Sequence, residues 1–225
     1  KYIMNAGEKP FFMYIAFNAV HSPMQAKKDV EDNLDIADAK RRKLAAMTIT
    51  LDDNVGLILN ALKVKGIENN TIVWFINDNG GGTYWHFDNG VFRGFKGSSF
   101  EGGTRVPFAV SWPGHIAKGK TINQSIISLD IARTSLTQAG ITNFENLDGV
   151  DLLPVINSNK TIKRDLFWDL GNEMTSIRRG DWKLINISKK PTFLFNLATD
   201  PGEENNLLNN NNKVKIDELN KALTT

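Results

Sequence analysis

Cysteine is absent from all 225 residues, which excludes disulfides, thiolate metal sites and a cysteine nucleophile within this chain. Histidine is scarce, with only His21, His86 and His115. No His-x-x-x-His or Asp-x-x-x-His spacing occurs, and this disfavours a histidine-rich two-metal centre. No apolar run reaches the ~20 residues that a membrane-spanning helix needs. The first ten residues lack a signal-peptide pattern and read as the tail of a helix and a loop, so a targeting segment can lie upstream. Excess charge is also missing: 27 Lys and Arg against 25 Asp and Glu leave a net +2. The cations are scattered among acids, which argues against a nucleic-acid stripe. The Lys40-Arg41-Arg42-Lys43 run reads as the exposed start of a helix.

What is present suits one large domain, or one with a small appendage, able to bury roughly 70% of its unfolded surface. Phe11 to Phe17 is a continuous apolar run after Pro10, the pattern of a strand buried on both faces. Leu44, Met47, Leu51, Val55, Leu59 and Leu62 recur three or four apart and predict a helix over 38–65, stopped by Gly66. Residues 71–76 and 106–112 predict two more buried strands, and a helix over 130–139 closes at Gly140. This alternation implies an α/β fold with a mainly parallel sheet flanked by helices, spanning 1–156. From 157 to 225 the texture changes. Short strands at 166–169, 175–178, 182–186 and 192–195 predict a small antiparallel sheet. An amphipathic helix with Val214, Ile216, Leu219 and Leu223 facing inward is expected to cover it.

Three places can carry chemistry. Asp78-Asn79-Gly80-Gly81 follows directly on a strand, at the carboxyl edge where ligands collect in open α/β sheets. A carboxylate and an amide oxygen side by side suit a hard cation, although Asp-Asn-Gly is also ordinary turn chemistry. His21 lies in the segment after the first apolar run and, taken alone, reads as a structural histidine sooner than a functional one. Lys96, between glycines in a long Gly-rich stretch, can reach an anion or simply sit as a solvated loop charge.

Taken in order, the motifs resemble the formylglycine-dependent sulfatases of the alkaline-phosphatase superfamily. They are 17–23 (FNAVHSP), 51–56 (LDDNVG), 78–81 (DNGG), 93–97 (RGFKG), 101–107 (EGGTRVP), 112–115 (WPGH), 148–154 (DGVDLLP), 180–184 (GDWKL) and 194–203 (LFNLATDPGE). The resemblance covers about residues 10 to 208, and its strength is the ordered set, since no one motif decides. It implies a C-terminal portion of an enzyme that hydrolyses sulfate esters, with sulfated carbohydrate as the substrate class. Asp78 and Asn79 then correspond to Ca²⁺ ligands. His21 corresponds to the histidine that contacts the sulfate and the ester oxygen, and Lys96 to the lysine that pairs with the sulfate. The Cys/Ser-x-Pro/Ala-x-Arg signature that yields formylglycine is absent here. The resemblance therefore implies an N-terminal segment of the same enzyme as partner, supplying the nucleophile and further metal ligands. Two protein ligands cannot satisfy calcium, which takes six to eight oxygens, so this chain alone is expected to be inactive.

There are departures. Ala132-Arg133 stands where the family commonly has a proline, and 82–88 (GTYWHFD) is an aromatic-rich insert whose rings can stack on a sugar. His86 in that insert is a candidate substrate contact, and His115 reads as part of a Pro-Gly turn. A phosphatase or phosphodiesterase on the same fold, and a non-catalytic remnant, are the competing readings. Asn69, Asn123, Asn159 and Asn186 begin Asn-x-Ser/Thr sequons, which chance alone produces in so Asn-rich a chain. Family habit places such enzymes outside the cell or in a periplasm.

Overall fold

A computed structural model describes residues 1–84, 86–141, 143–158, 160–171 and 174–224. In chain order its helices are α1 (Tyr2–Asn5), α2 (Lys28–Asp32), α3 (Ala39–Val64), α4 (Glu101–Thr104), α5 (Leu129–Gln138), α6 (Leu153–Ser158) and α7 (Lys213–Thr224). Its strands are β1 (Val73–Ile76), β2 (Phe108–Ser111), β3 (Asp165–Asp169), β4 (Met174–Arg179), β5 (Trp182–Ile187) and β6 (Lys190–Asn196). The chain divides into two compact units. Residues 1–73, 84–87 and 111–115 make one, and 74–83, 88–110 and 116 onward make the other.

The first unit is organised by α3. Asp38 caps it, its carboxylate accepting the Arg41 N–H at 2.7 Å, which satisfies one of the orphan donors of a helix start. At the other end Gly66 takes φ 73°, a left-handed conformation that costs glycine little. Gly66 N–H donates to Lys63 O and Ile67 N–H to Leu62 O, the paired bonds of a Schellman stop. Helices α1 and α2 pack on α3. Met24, Leu44 and Met47 form its small core, with Ala19, Val20, Ala26 and Phe87 against them.

The expected strand at 11–17 does not form. The segment has no regular secondary structure, and Phe12 and Tyr14 are 81% and 82% exposed. A strand needs a hydrogen-bonded neighbour for its N–H and C=O groups, and among the described residues no strand pairs with this one. Apolar composition alone does not make a strand. Strands β1 and β2 do pair, in a two-stranded sheet. They are half-buried where the sequence predicts full burial, with Phe75 among the exposed residues. Helix α5 matches its prediction, and Ile141 N–H reaches back to Leu136 O past Gly140.

In the second unit, β3 to β6 form one antiparallel meander in sequence order. Strands β4 and β5 are joined by the two-residue turn Gly180-Asp181. Strands β5 and β6 are joined by Ser188-Lys189, at φ 50° and 61°, the paired positive values of a type I′ turn. Both faces of this sheet are covered. Ile177, Leu184 and Leu194 pack on Leu219 of α7, with Ile216 and Leu223 alongside. Ile185 and Phe195 point to the other face, where Phe100 and Phe193 join them. Val214 is 84% exposed and does not belong to the inward face predicted for it. Positions 216, 219 and 223 share one helical stripe, whereas 214 lies about 140° around from 219 at 100° per residue. Among the described residues no helix is long and apolar enough to cross a membrane.

Candidate functional site

Strand β1 runs into the Asp78–Gly81 turn, and Asn77 N–H still donates to Pro107 O beyond the end of the strand. The turn is then seized from two sides. Gly80 N–H donates to Gly103 O at 3.0 Å, at the end of α4, and Lys96 N–H donates to Gly81 O at 3.1 Å. Asn89 braces the same peptide: its Oδ1 accepts the Gly81 N–H at 2.9 Å, while Nδ2 donates to Gly94 O at 3.0 Å and Gly81 O at 3.3 Å. Three segments distant in sequence, 78–81, 89–96 and 101–104, are thus one hydrogen-bonded body.

Glycine makes this approach sterically possible. A Cβ on Gly80 would sit 1.8 Å from Gly102 O. One on Gly102 would lie 2.4 to 2.7 Å from the carbonyls of Gly94, Arg93 and Phe92. These are backbone atoms with no rotamer to yield. Gly102 N–H donates to Arg93 O at 2.7 Å, so α4 is held against the loop by the same contact that forbids a side chain.

Of the predicted site residues, the structure brings Asp78, Asn79 and Lys96 into this body. Asp78 and Lys96 are exposed, and Asn79 is half-buried. Asn79 Nδ2 donates to Gly80 O at 2.9 Å, which leaves its Oδ1 as a neutral oxygen donor on the residue that follows Asp78. Two adjacent oxygen donors fit a hard cation such as Ca²⁺ in kind but not in number. Among the described residues no group of three or more His, Cys, Asp or Glu is placed to hold a metal.

His21 belongs to the other compact unit. It is exposed, and its Nδ1 lies 2.8 Å from Ser22 O. His86 is in that unit too, at φ 56°. Arg41 Nη1 donates to His86 O at 2.8 Å, and His86 Nδ1 lies 3.5 Å from Asp38 Oδ2. Asp38 is held below the usual carboxylate range, chiefly by the Arg41 N–H. The aromatic insert is therefore anchored on the start of α3, and Lys40 Nζ lies 5.3 Å from the Tyr84 ring centroid. Trp85, the insert's largest ring, lies outside the described residues. His115 stacks on Trp112, with centroids 3.9 Å apart, in the turn expected of it. Asp52 and Asp53 are exposed on α3.

Sequence reasoning missed Asn89, the brace of the turn, because one asparagine in an Asn-rich stretch carries no signal. It also missed the partners of Glu101. That carboxylate, 2% exposed, meets Lys183 Nζ at 2.9 Å and Arg178 Nη1 at 3.3 Å. Nothing in the sequence pairs that acid with the two cations, which lie 77 and 82 residues away.

The family model described as Sulfatase matches residues 1–141, and the one described as N-sulphoglucosamine sulphohydrolase, C-terminal, matches residues 90–225. The chain is similar to N-acetylgalactosamine-6-sulfatase of Rattus norvegicus, 35% identical over 190 residues that cover 80% of this chain and 34% of the relative. It superposes on the crystal structure of Ps i-CgsB in complex with k-i-k-neocarrahexaose with a TM-score of 0.91. That match is 30% identical and covers 98% of this chain and 50% of that one. A structure solved with its substrate D-glucosamine-2-N,6-O-disulfate gives a TM-score of 0.66 at 26% identity, over 81% of this chain and 39% of that one. This chain thus spans about a third to a half of the length of the proteins it matches. The ordered motifs, the glycine-packed turn and a family match over well more than half of the residues agree, and the chain belongs to the sulfatase family.

Proposed function

We propose that this chain supplies one wall of an active site that hydrolyses sulfate esters of a carbohydrate. The observation that carries the reading is the bond from Lys96 N–H to Gly81 O. It holds a lysine-bearing loop two residues from a pair of hard oxygen donors, at the end of a strand. A sulfate group is small, so cation and metal donors must be neighbours if both are to touch it. The matched proteins support the substrate class, since one is a hexosamine 6-sulfatase and another was solved with a disulfated glucosamine.

In this reading Asp78 and Asn79 hold a calcium ion, together with oxygens from a segment outside these residues. When bound, the ion supplies Lewis-acid polarisation of the sulfate oxygens. Lys96 places a fixed ammonium against the sulfate, where charge grows in the transition state. His21 delivers a proton to the ester oxygen as the S–O bond breaks, so that an alcohol leaves in place of an alkoxide. The formylglycine nucleophile belongs to the same outside segment. Export from the cytoplasm fits this family reading.

The test is sulfate release by the complete protein, with its nucleophile matured, from a panel of sulfated hexosamines and galactoses. Turnover of sulfate esters that disappears in Asp78→Ala and Lys96→Ala supports the reading. Turnover of phosphate esters alone, or of nothing at all, overturns it. Calcium titration by calorimetry gives an independent readout: Asp78→Ala should weaken binding at least tenfold.

A further inference from the structure

A cluster of buried charges lies behind the site body, on the face of the β3–β6 sheet turned away from α7. Lys183 of β5 is fully buried, and its Nζ lies 2.9 Å from Glu101 Oε1 and 3.0 Å from Glu203 Oε1. Glu203 is also fully buried, and its Oε2 accepts the Glu101 N–H at 2.6 Å. Arg178 sits directly across from Lys183 in the β4–β5 register. Like charges facing each other across strands repel, and the Glu101 carboxylate separates them, one oxygen toward each. Arg105 Nη1 adds a longer contact at 3.7 Å to Glu101 Oε2.

These acids are not placed at random in the fold. Glu101 is the first residue of α4, the helix whose Gly102 and Gly103 bond the Lys96 loop and the strand-end turn. Glu203 takes φ 56°, unusual for a residue with a side chain, and its carbonyl accepts from Arg93 Nη1 at 2.9 Å. The Arg93 guanidinium lies over Phe100, 4.3 Å from the ring centroid. Both glutamates therefore grip the site body at one end and Lys183 at the other. Isolated charges are not buried without compensation, so the geometry of each depends on the other two.

We propose that Lys183, Glu101 and Glu203 form a buried lock through which the C-terminal sheet positions the Asp78-Asn79 turn and the Lys96 loop. They are positioning residues, since none is placed to touch substrate. The catalytic consequence rests on the function proposed above, whereas the mechanical coupling does not. The C-terminal sheet is then part of the catalytic apparatus and not an appended module.

The decisive experiment is hydrogen exchange in the complete protein, comparing wild type with E101Q/K183M/E203Q. That triple variant removes all three charges together. Arg178 loses the Glu101 carboxylate but keeps the Gly180 carbonyl at 3.0 Å and no longer faces a like charge across the strands. At least tenfold faster exchange at the Gly80, Lys96 and Gly102 amides is expected, with α5 protection and the melting temperature little changed. A fall in kcat of at least tenfold should accompany it. Unchanged protection at Gly80 and Lys96 in the folded variant overturns the lock. Should the variant fail to fold, wild type decides the matter by exchange in low denaturant. Opening of those amides together with the amides of β5 supports coupling, and independent opening at lower free energy overturns it. If the complete protein releases no sulfate from any ester, the functional reading fails while the exchange result still judges the lock.

Discussion

Arg164 and Asp130 meet in a bidentate pair, Nη1 to Oδ1 at 2.6 Å and Nη2 to Oδ2 at 2.5 Å. Asp130 is fully buried at the start of α5, and the same carboxylate accepts the Ile127 and Val150 N–H groups at 2.9 and 3.0 Å. One side chain thus ties α5, the 148–152 segment and the entry to β3. Removing it strands a largely buried guanidinium and two backbone donors. Asp130→Ala should destabilise the protein by about 3–5 kcal/mol, the range for breaking a buried pair from one side. Chemical denaturation measures this directly, and a loss under about 1 kcal/mol would show that the pair is not coupled to the fold.

Gly102→Ala should disable the site without touching a reacting group. Its Cβ would lie 2.4 to 2.7 Å from three successive carbonyls of the Lys96 loop, so α4 must move away from Arg93. The bonds from Gly102 to Arg93 and from Gly80 to Gly103 lengthen together. A loss of at least 100-fold in kcat/KM is expected. Gly56→Ala is the control: nothing lies within 4 Å of the added atom, and activity should stay within twofold.

Glu203 gives the lock a pH signature. Burial pushes its carboxyl above the ordinary range, and the Lys183 charge opposes this only in part. A raised folded-state value means that the folded protein holds the proton more tightly than the unfolded one. The contribution to stability is therefore full below the ordinary glutamate range and is lost as pH rises through the raised value. Glu203→Gln cannot titrate. Relative to it, wild type should lose stability on going upward from about pH 4.5. Denaturation midpoints across pH 4 to 8 check the sign, and a gap that widens in the opposite sense would sink the assignment.

Much of this was legible in the sequence, for physical reasons that differ by region. The C-terminal sheet was readable because local turns set its register: Gly180-Asp181 joins β4 to β5, and Leu184 and Ile185 face opposite covered sides. Helix α3 was readable because Asp38 and Gly66 mark its ends. The run at 11–17 misled because burial of a strand is a property of its neighbours, not of its composition. The motifs single out Asp78, Asn79 and Lys96 as candidates, and the structure joins the segments that carry them through Gly81. The lock was not legible, since Lys183 is one lysine inside an alternating strand, and its partners lie 82 residues away at Glu101 and 20 away at Glu203. Burial also sorts the sequons. Asn186 is 1% exposed in β5, and its Nδ2 bonds Asn220 Oδ1 at 2.8 Å, so it is no glycan acceptor. Asn69 and Asn123 are exposed, and Asn159 lies outside the described residues.

The terminal helix offers the sharpest test of how the C-terminal sheet is held. Leu219 is fully buried and packs on Ile177, Leu184 and Leu194, the α7-facing side of β4, β5 and β6. Val214, five residues earlier on the same helix and on another face, is 84% exposed, although both residues looked alike as apolar positions of an amphipathic segment. Leu219→Ala removes buried methyl groups and leaves a cavity against a sheet face whose strands are fixed by their hydrogen-bond ladder. The expected cost is about 2–5 kcal/mol. Val214→Ala should change stability by no more than about 0.5 kcal/mol. The two variants differ from wild type by similar chemistry, so helix propensity alone predicts small effects for both. If the sheet is clamped by α7 as described, urea denaturation will separate them clearly. Equal effects would mean that α7 covers the sheet without stabilising it. The clamp matters beyond its own residues, because Leu184 and Lys183 are adjacent on β5. Loosening the α7 face by Leu219→Ala should therefore also raise amide exchange at Gly80 and Lys96, whereas Val214→Ala should leave both unchanged.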